Sequence, residues 1–426
     1  MLKLGTATQL PPNRPSGSHE DYIRSPAHNA GLATSYPVAK KEGPVKLHRN
    51  IVLSLAAVAL LASAALLGVR SAAAFDPERV TPIAPPATPL PPEDQSRAVT
   101  RFSFIAYGDT RGHHDGTAIQ AEHQLVVNSM LTRIKELRTT AYPVRFILQS
   151  GDAVYDGHVA RQWNVSFTPL INRLTTEGDV PYFLIPGNHE GSTSKVGARN
   201  YEDAVSALIP PEGSPRRMPG EATYAFGYGN TFVLALDSNI AADLKQYQWV
   251  KSQLEGLDRS RYVNVIVYCH HAPFSSGPHG GSTVERPTAE LRSRYMPLFN
   301  ASHVRVVFSG HEHFFEHWVE HYTDSSGLHR MDLVVSAGGG APLYTYSGEP
   351  DLREFLKTNA ASQVTLDHLV KPGRESRSNP HHYLIVRVDG DQLEMEVVGV
   401  DWGRDFQPYG TNKVLLQDPA TEQSPK

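Results

Sequence analysis

Five short clusters carry residues able to do chemistry: Gly108-Asp109, Gly151-Asp152 with Tyr155 close behind, Gly187-Asn188-His189-Glu190, His270-His271, and Gly310-His311-Glu312-His313. Together they offer carboxylate, imidazole, amide oxygen and phenol. That mixture suits manganese, iron or zinc, whereas a calcium site would draw on oxygen alone. Taken singly, each cluster has a plain structural explanation. Gly-Asp after a strand is a common turn, because Gly accepts positive φ and Asp bonds its own backbone. Asn188-His189 suits a capped turn, and His311 and His313 suit a core of partnered imidazoles. The order of all five, each at the end of an apolar run, is what points to a metal centre.

Those apolar runs are the elements that must position the clusters. Arg101 to Tyr107 leads into Gly108, Val144 to Gln149 into Ser150, Tyr182 to Ile185 into Pro186, Val263 to Tyr268 into Cys269, and Val304 to Phe308 into Ser309. Short apolar runs of this kind read as buried strands, and in open α/β sheets ligands gather where strands end. Helical spacing of apolar residues is visible over 124–137 and 243–257. Later runs, 231–236, 331–336 and the pair 383–388 and 393–400 about Asp389-Gly390, read as further strands, the last two as a hairpin. Helices interleave with the early strands and the later strands crowd together, which favours a layered α/β sandwich.

In this order the clusters resemble the calcineurin-like metallophosphoesterases, and within them the purple acid phosphatase branch, whose pattern runs G-D, G-D-x-x-Y, G-N-H-E, V-x-x-H and G-H-x-H. The chain has Gly108-Asp109, Gly151-Asp152-Ala153-Val154-Tyr155, Gly187-Asn188-His189-Glu190, Val267-Tyr268-Cys269-His270 and Gly310-His311-Glu312-His313. The resemblance covers roughly residues 100 to 400. It implies an α-β-β-α sandwich with mixed sheets and a binuclear metal site at the carboxyl ends of the strands.

By that likeness Asp109, Asp152, Tyr155 and His313 hold a first ion, and Asp152, Asn188, His270 and His311 a second. Iron with zinc or manganese is the implied pair, and a zinc/manganese pair fits the same ligands. The implied reaction is hydrolysis of a small phosphate ester by a metal-activated hydroxide, with a phosphomonoester as the first reading and a phosphodiester or nucleotide as the alternative. A surface metal-binding protein without turnover is the reading from a different class. His189 matches the histidine that steadies the transition state or protonates the leaving group. Three positions depart from the pattern or leave it open. Arg111 stands where the branch has Gly, either to clamp phosphate through its planar fork or to pair with a surface carboxylate. His271 extends the V-x-x-H motif into a pair, as a substrate-facing or ligand-orienting residue, or as the ligand in place of His270. Tyr155 is either an iron-binding tyrosinate or a neutral neighbour. Asp156 and Glu190 are candidates to orient ligands, and His123 could turn toward the site.

The rest of the chain bounds the setting. Forty Lys and Arg against 44 Asp and Glu give a net charge of −4, without the basic balance expected of a nucleic-acid binder. A lone Cys269 forms no internal disulfide. Residues 1–49 lack apolar periodicity and read as a disordered segment. Ile51 to Val69 is an uncharged apolar run preceded by Lys40, Lys41, Lys46 and Arg49. It reads as a membrane span with its N-terminus inside, whether retained as an anchor or cleaved near Ala74. The domain is then expected to be exported. Residues 71–98, with seven prolines, read as a semi-extended linker, 99–413 as the catalytic domain, and 414–426 as a disordered tail. Nothing in the sequence sets an oligomeric state.

Overall fold

A computed structural model of the chain describes residues 78–112, 118–281, 284–400 and 406–416. The expected membrane span at 51–69, the segment 1–49 and His113 and His114 lie outside the described residues. No helix among the described residues is long and apolar enough to cross a membrane.

Two mixed sheets face each other. The first has the order β13-β12-β11-β1-β2-β3, with β1 (Arg101–Tyr107), β2 (Val144–Gln149) and β3 (Tyr182–Leu184) parallel, and with β11 (His382–Asp389), β12 (Gln392–Gly399) and β13 (Lys413–Leu415) antiparallel at its other side. The second has the order β10-β8-β9-β7-β6-β5-β4. In it β5 (Thr231–Leu236), β6 (Asn264–Cys269), β7 (Val306–Ser309) and β9 (Gly327–Ser336) run parallel, and β4 (Tyr224–Tyr228), β8 (Phe315–Asp324) and β10 (Thr365–Val370) pair antiparallel.

Strands covered on both faces read as unbroken apolar runs, and β2, β5, β6 and β7 are buried along almost their whole length. The core between the sheets is aromatic. Phe104 meets Phe308 edge-on at 6.0 Å, and Phe183 stacks on Phe226 at 4.1 Å. The helix Ala121–Leu137 covers the first sheet through Val126, Val127, Met130 and Ile134. The helix Leu244–Glu255 covers the second through Val250 and Leu254. The layers are therefore α-β-β-α.

Two expectations need correction, and one strand was missed. Residues 78–98 are laid along the domain instead of standing off as a free linker. Val80 and Ile83 are buried in the inter-sheet core cluster, Thr81 and Ala84 donate their amides to Asn164 and Asn172, and the Glu93 carboxylate takes bonds from Arg216 and Tyr262. Two apolar side chains outweigh a proline-rich composition because each finds a core to enter. The tail begins later than residue 414, since Lys413–Leu415 pairs with β12 and Leu416 is buried. Strand β8 was not foreseen, because Glu316, His317 and Glu320 interrupt its apolar pattern. All three are buried with partners: Ser276 bonds Glu316, His317 bonds Asp332, and Asn300 bonds Glu320.

Candidate metal centre

The parallel strands of both sheets end on the same side, and their C-terminal loops bring the predicted ligands together. Asp109 follows β1, Asp152 follows β2, Asn188 follows β3, His270 follows β6, and His311 and His313 follow β7. Two donor groups result. Asp109, Asp152 and His313 form one, and Asp152, His270 and His311 the other, each with its ligand atoms within 4.8 Å and every member buried. Asp152 belongs to both.

The backbone is bent sharply to achieve this. Asp109 (φ 61°), Asp152 (φ 53°) and His311 (φ 71°) all adopt the left-handed region, which is uncommon for non-glycine residues and costs on the order of 1–3 kcal/mol each. The motif glycines permit the close approach of the loops. A Cβ on Gly187 would collide with the Asp152 carboxylate, and one on Gly310 with that of Asp109.

Glu190 locks the two central loops. It is fully buried, and its carboxylate accepts the amides of Asp152 (2.8 Å), Ala153 (2.8 Å), Val154 (3.3 Å) and Gly187 (2.6 Å). Burial and the nearby Asp152 raise its pKa to about 8. Asp156, the other residue expected to orient ligands, instead bonds His158.

The hydrogen bonds on the outer nitrogens show what the inner nitrogens face. His270 Nδ1 meets the Ser150 carbonyl at 2.9 Å, and His313 Nδ1 meets the Pro342 carbonyl at 2.7 Å. A carbonyl only accepts, so each Nδ1 carries the proton and each Nε2 turns a lone pair inward. His270 Nε2 then lies 3.3 Å from Asp152 Oδ1, 2.9 Å from Asn188 Oδ1 and 3.1 Å from His311 Nδ1. His313 Nε2 lies 3.5 Å from Asp109 Oδ1. His311 spends its Nε2 on Glu285 at 3.1 Å, which leaves its Nδ1 as the inward lone pair. Imidazole lone pairs and carboxyl oxygens thus converge, an arrangement that fits cations. Imidazoles anchored to outer oxygen acceptors are the usual dress of metal ligands.

The titration behaviour agrees. Burial drives His270 well below the ordinary imidazole range, with His311 adding to the effect, and it pushes His313 down to about 3. Both are held neutral, as ligation requires. Burial, then the neighbouring Asp152, raises Asp109 well above the ordinary carboxylate range. Two crowded buried carboxylates are the anionic counterpart of a bound dication.

The remaining predicted residues are also here, in distinct places. His189 donates its amide to Asp152 Oδ1 at 3.2 Å, and its Nδ1 meets the Tyr155 carbonyl at 2.5 Å. Its Nε2 therefore faces Asp152 Oδ2 at 3.8 Å on a partly exposed side chain. Tyr155 is half-buried, its ring 5.3 Å from that of His189 and beneath the Arg111 guanidinium at 5.5 Å. Arg111 itself pairs through Nε with Asp152 Oδ2 at 3.4 Å and donates to Tyr344 Oη at 3.4 Å. It supplies a fixed positive charge at the site instead of pairing with a surface carboxylate.

Of the readings open for His271, the substrate-facing, catalytic one is not met. It is 2 % exposed, bonded to Ser238 and tucked against the His311 ring at 4.6 Å, so it is placed to orient His311. His123 is buried among Tyr107 and Phe167 and does not reach the clusters. His317, His321 and His382 also stand apart from them.

Three residues of the site were missed. Glu285 accepts from His311 and from His279 at 2.9 Å, and Tyr344 stacks on His313 at 4.0 Å with an interplanar angle of 16°. His279 and Glu285 lie in a loop rich in Gly, Ser and Pro. The only sequence signal there is a lone imidazole and a lone carboxylate on a loop leaving the His270 strand.

Residues 110–315 match the family model for calcineurin-like phosphoesterases. Two Arabidopsis thaliana proteins, named Probable purple acid phosphatase 20 and Purple acid phosphatase 18, are each 27% identical to the chain, over 42% and 40% of it. The matches span 41% and 37% of those relatives, about two fifths of their length. Among solved structures, purple acid phosphatase PPD1 from yellow lupin (Lupinus luteus) seeds aligns over 74% of this chain and 53% of its own. The TM-score is 0.52 at 18% identity, which speaks to the fold.

Proposed function

We infer that this chain, a calcineurin-like phosphoesterase of the purple acid phosphatase-like branch, hydrolyses small phosphomonoesters at a two-ion centre. The observation that carries the reading is the pair of buried donor groups joined at Asp152. In it Asp109, Asp152, Tyr155 and His313 would hold one ion, and Asp152, Asn188, His270 and His311 the other. Iron with zinc or manganese is the proposed occupant, and a zinc/manganese pair fits the same donors. When bound, such ions supply Lewis acidity, which lowers the pKa of water and offsets phosphate charge.

The protein's own groups do the rest. Glu190 keeps the Asp152 and Gly187 loops at a fixed separation, so the donor set is formed in advance. Arg111, held by Asp152 and Tyr344, presents a permanent cation beside the site for an anionic substrate. His189 is oriented by its Nδ1 bond to the Tyr155 carbonyl, which leaves Nε2 as the atom that takes a proton and gives it to the leaving alkoxide. General acid catalysis of this kind is worth about 10²–10⁴ in rate. The same proposal places the domain outside the cytoplasm, on the strength of the apolar run 51–69.

The test is metal content and visible spectrum of the purified protein, followed by turnover of an aryl phosphate monoester and a bis-aryl diester. A tyrosinate-to-iron colour supports Tyr155 as a ligand, and preference for the monoester supports the substrate class. Full metal content without turnover on either ester would refute the hydrolase.

A further inference from the structure

At the end of the second sheet remote from the metal centre, three side chains converge that the proposed hydrolysis does not use. His303 lies in the turn between the helical segment Met296–Ala301 and β7, Asp324 ends β8, and His329 lies near the start of β9. Both imidazoles aim Nε2 at one carboxylate. His303 reaches Asp324 Oδ2 at 2.7 Å, and His329 reaches Oδ1 at 3.0 Å. The rings stand nearly parallel, 4.4 Å apart at 20°. One ligand atom from each residue lies within 4.8 Å of the others.

We propose that His303, Asp324 and His329 form a separate site for a divalent transition-metal cation of the zinc class. Two imidazoles and a carboxylate make the three-protein-ligand set that zinc accepts, with a fourth position left to water. Tetrahedral coordination at about 2.0–2.1 Å needs small movements here, because the donors already sit near the required spacing. His329 is buried and stacked on Tyr322 at 5.2 Å, and Ser326 Oγ holds Asp324 Oδ1 at 2.6 Å, so two of the three ligands are fixed in place beforehand. His303, the more exposed of the two imidazoles, closes the set from another part of the chain. A bound ion would clip the turn after Met296–Ala301 to the β8–β9 hairpin.

The site is independent of the first. Strand β9 runs from Gly327 at this end to Ser336 beside the metal centre, a span of roughly 30 Å at about 3.3 Å per residue. Emptying one site therefore leaves the other intact.

Equilibrium dialysis against micromolar Zn²⁺, with zinc counted per chain, tests the proposal as a difference between proteins. Wild type should retain one zinc more than His303→Ala and one more than the near-isosteric Asp324→Asn, with phosphate-ester turnover equal in all three. Zinc should also raise the melting temperature of wild type more than that of either variant. Equal zinc counts overturn the proposal, as does retention of the extra ion only at millimolar zinc. Because the readout is a difference, it holds whether or not the metal centre turns over phosphate esters.

Discussion

Replacing Glu190 with Ala removes one carboxylate and strands four buried amides, those of Asp152, Ala153, Val154 and Gly187. A buried donor left unsatisfied costs about 1–3 kcal/mol, but neighbouring losses do not add fully and water can enter the space vacated. Relief of the repulsion between Glu190 and Asp152 offsets part of the cost, since that repulsion helps raise the Glu190 pKa to about 8. The expected net loss is about 3 kcal/mol of stability, near the upper range for a single substitution. Glu190→Gln keeps one acceptor oxygen and turns an NH₂ toward the amides, so it should fall between wild type and Ala. Urea unfolding gives the stability and elemental analysis the ion content. Both should drop together, because the same four bonds set the position of Asp152. A loss below about 1 kcal/mol with unchanged metal content would refute the view that Glu190 locks the site.

His189→Ala should cut turnover by about 10²–10⁴ while metal content stays at the wild-type level, and the limb of the pH-rate profile that reports the proton donor should disappear. Metal-free protein should become less stable as pH rises above the ordinary imidazole range, where the depressed histidines His270 and His313 no longer change their contribution. Asp109 and Glu190 have raised pKa values, so their contributions are complete below the ordinary carboxylate range and are lost as pH climbs, that of Glu190 through about 8. Thermal melts of chelated protein across about pH 7 to 9 check the sign, and added Zn²⁺ or Mn²⁺ should restore most at the alkaline end. Ile83→Ala should cost about 2–4 kcal/mol in urea unfolding, whereas a free linker would show no loss.

What was legible in the sequence followed from burial. Strands β1, β2, β5, β6 and β7 lie between two covered faces, so their apolar runs were unbroken and their ends stood out. The donor residues at the ends of β1, β2, β6 and β7, namely Asp109, Asp152, His270, His311 and His313, stood out as candidates for the same reason. What was hidden depends on pairing across long sequence distances. The polar residues of β8 break its apolar pattern, and their place in a strand shows only once Ser276, Asp332 and Asn300 are seen to satisfy them. Glu285 and Tyr344 act on His311 and His313 from loops with no periodicity, and Val80 and Ile83 gain meaning only from the core they enter. Which of its open readings His271 takes, here behind His311, was likewise a matter of packing that spacing does not encode.

The left-handed backbone at Asp109, Asp152 and His311 sets fold and chemistry at odds. At each position glycine relieves the twist, and at the two aspartates it also removes a crowded negative charge. A library of this protein selected for heat resistance in the absence of metal, with no demand for turnover, should therefore accumulate replacements at these positions first. Persistence of all three residues through such a selection would mean that the loops gain from them something other than ligation.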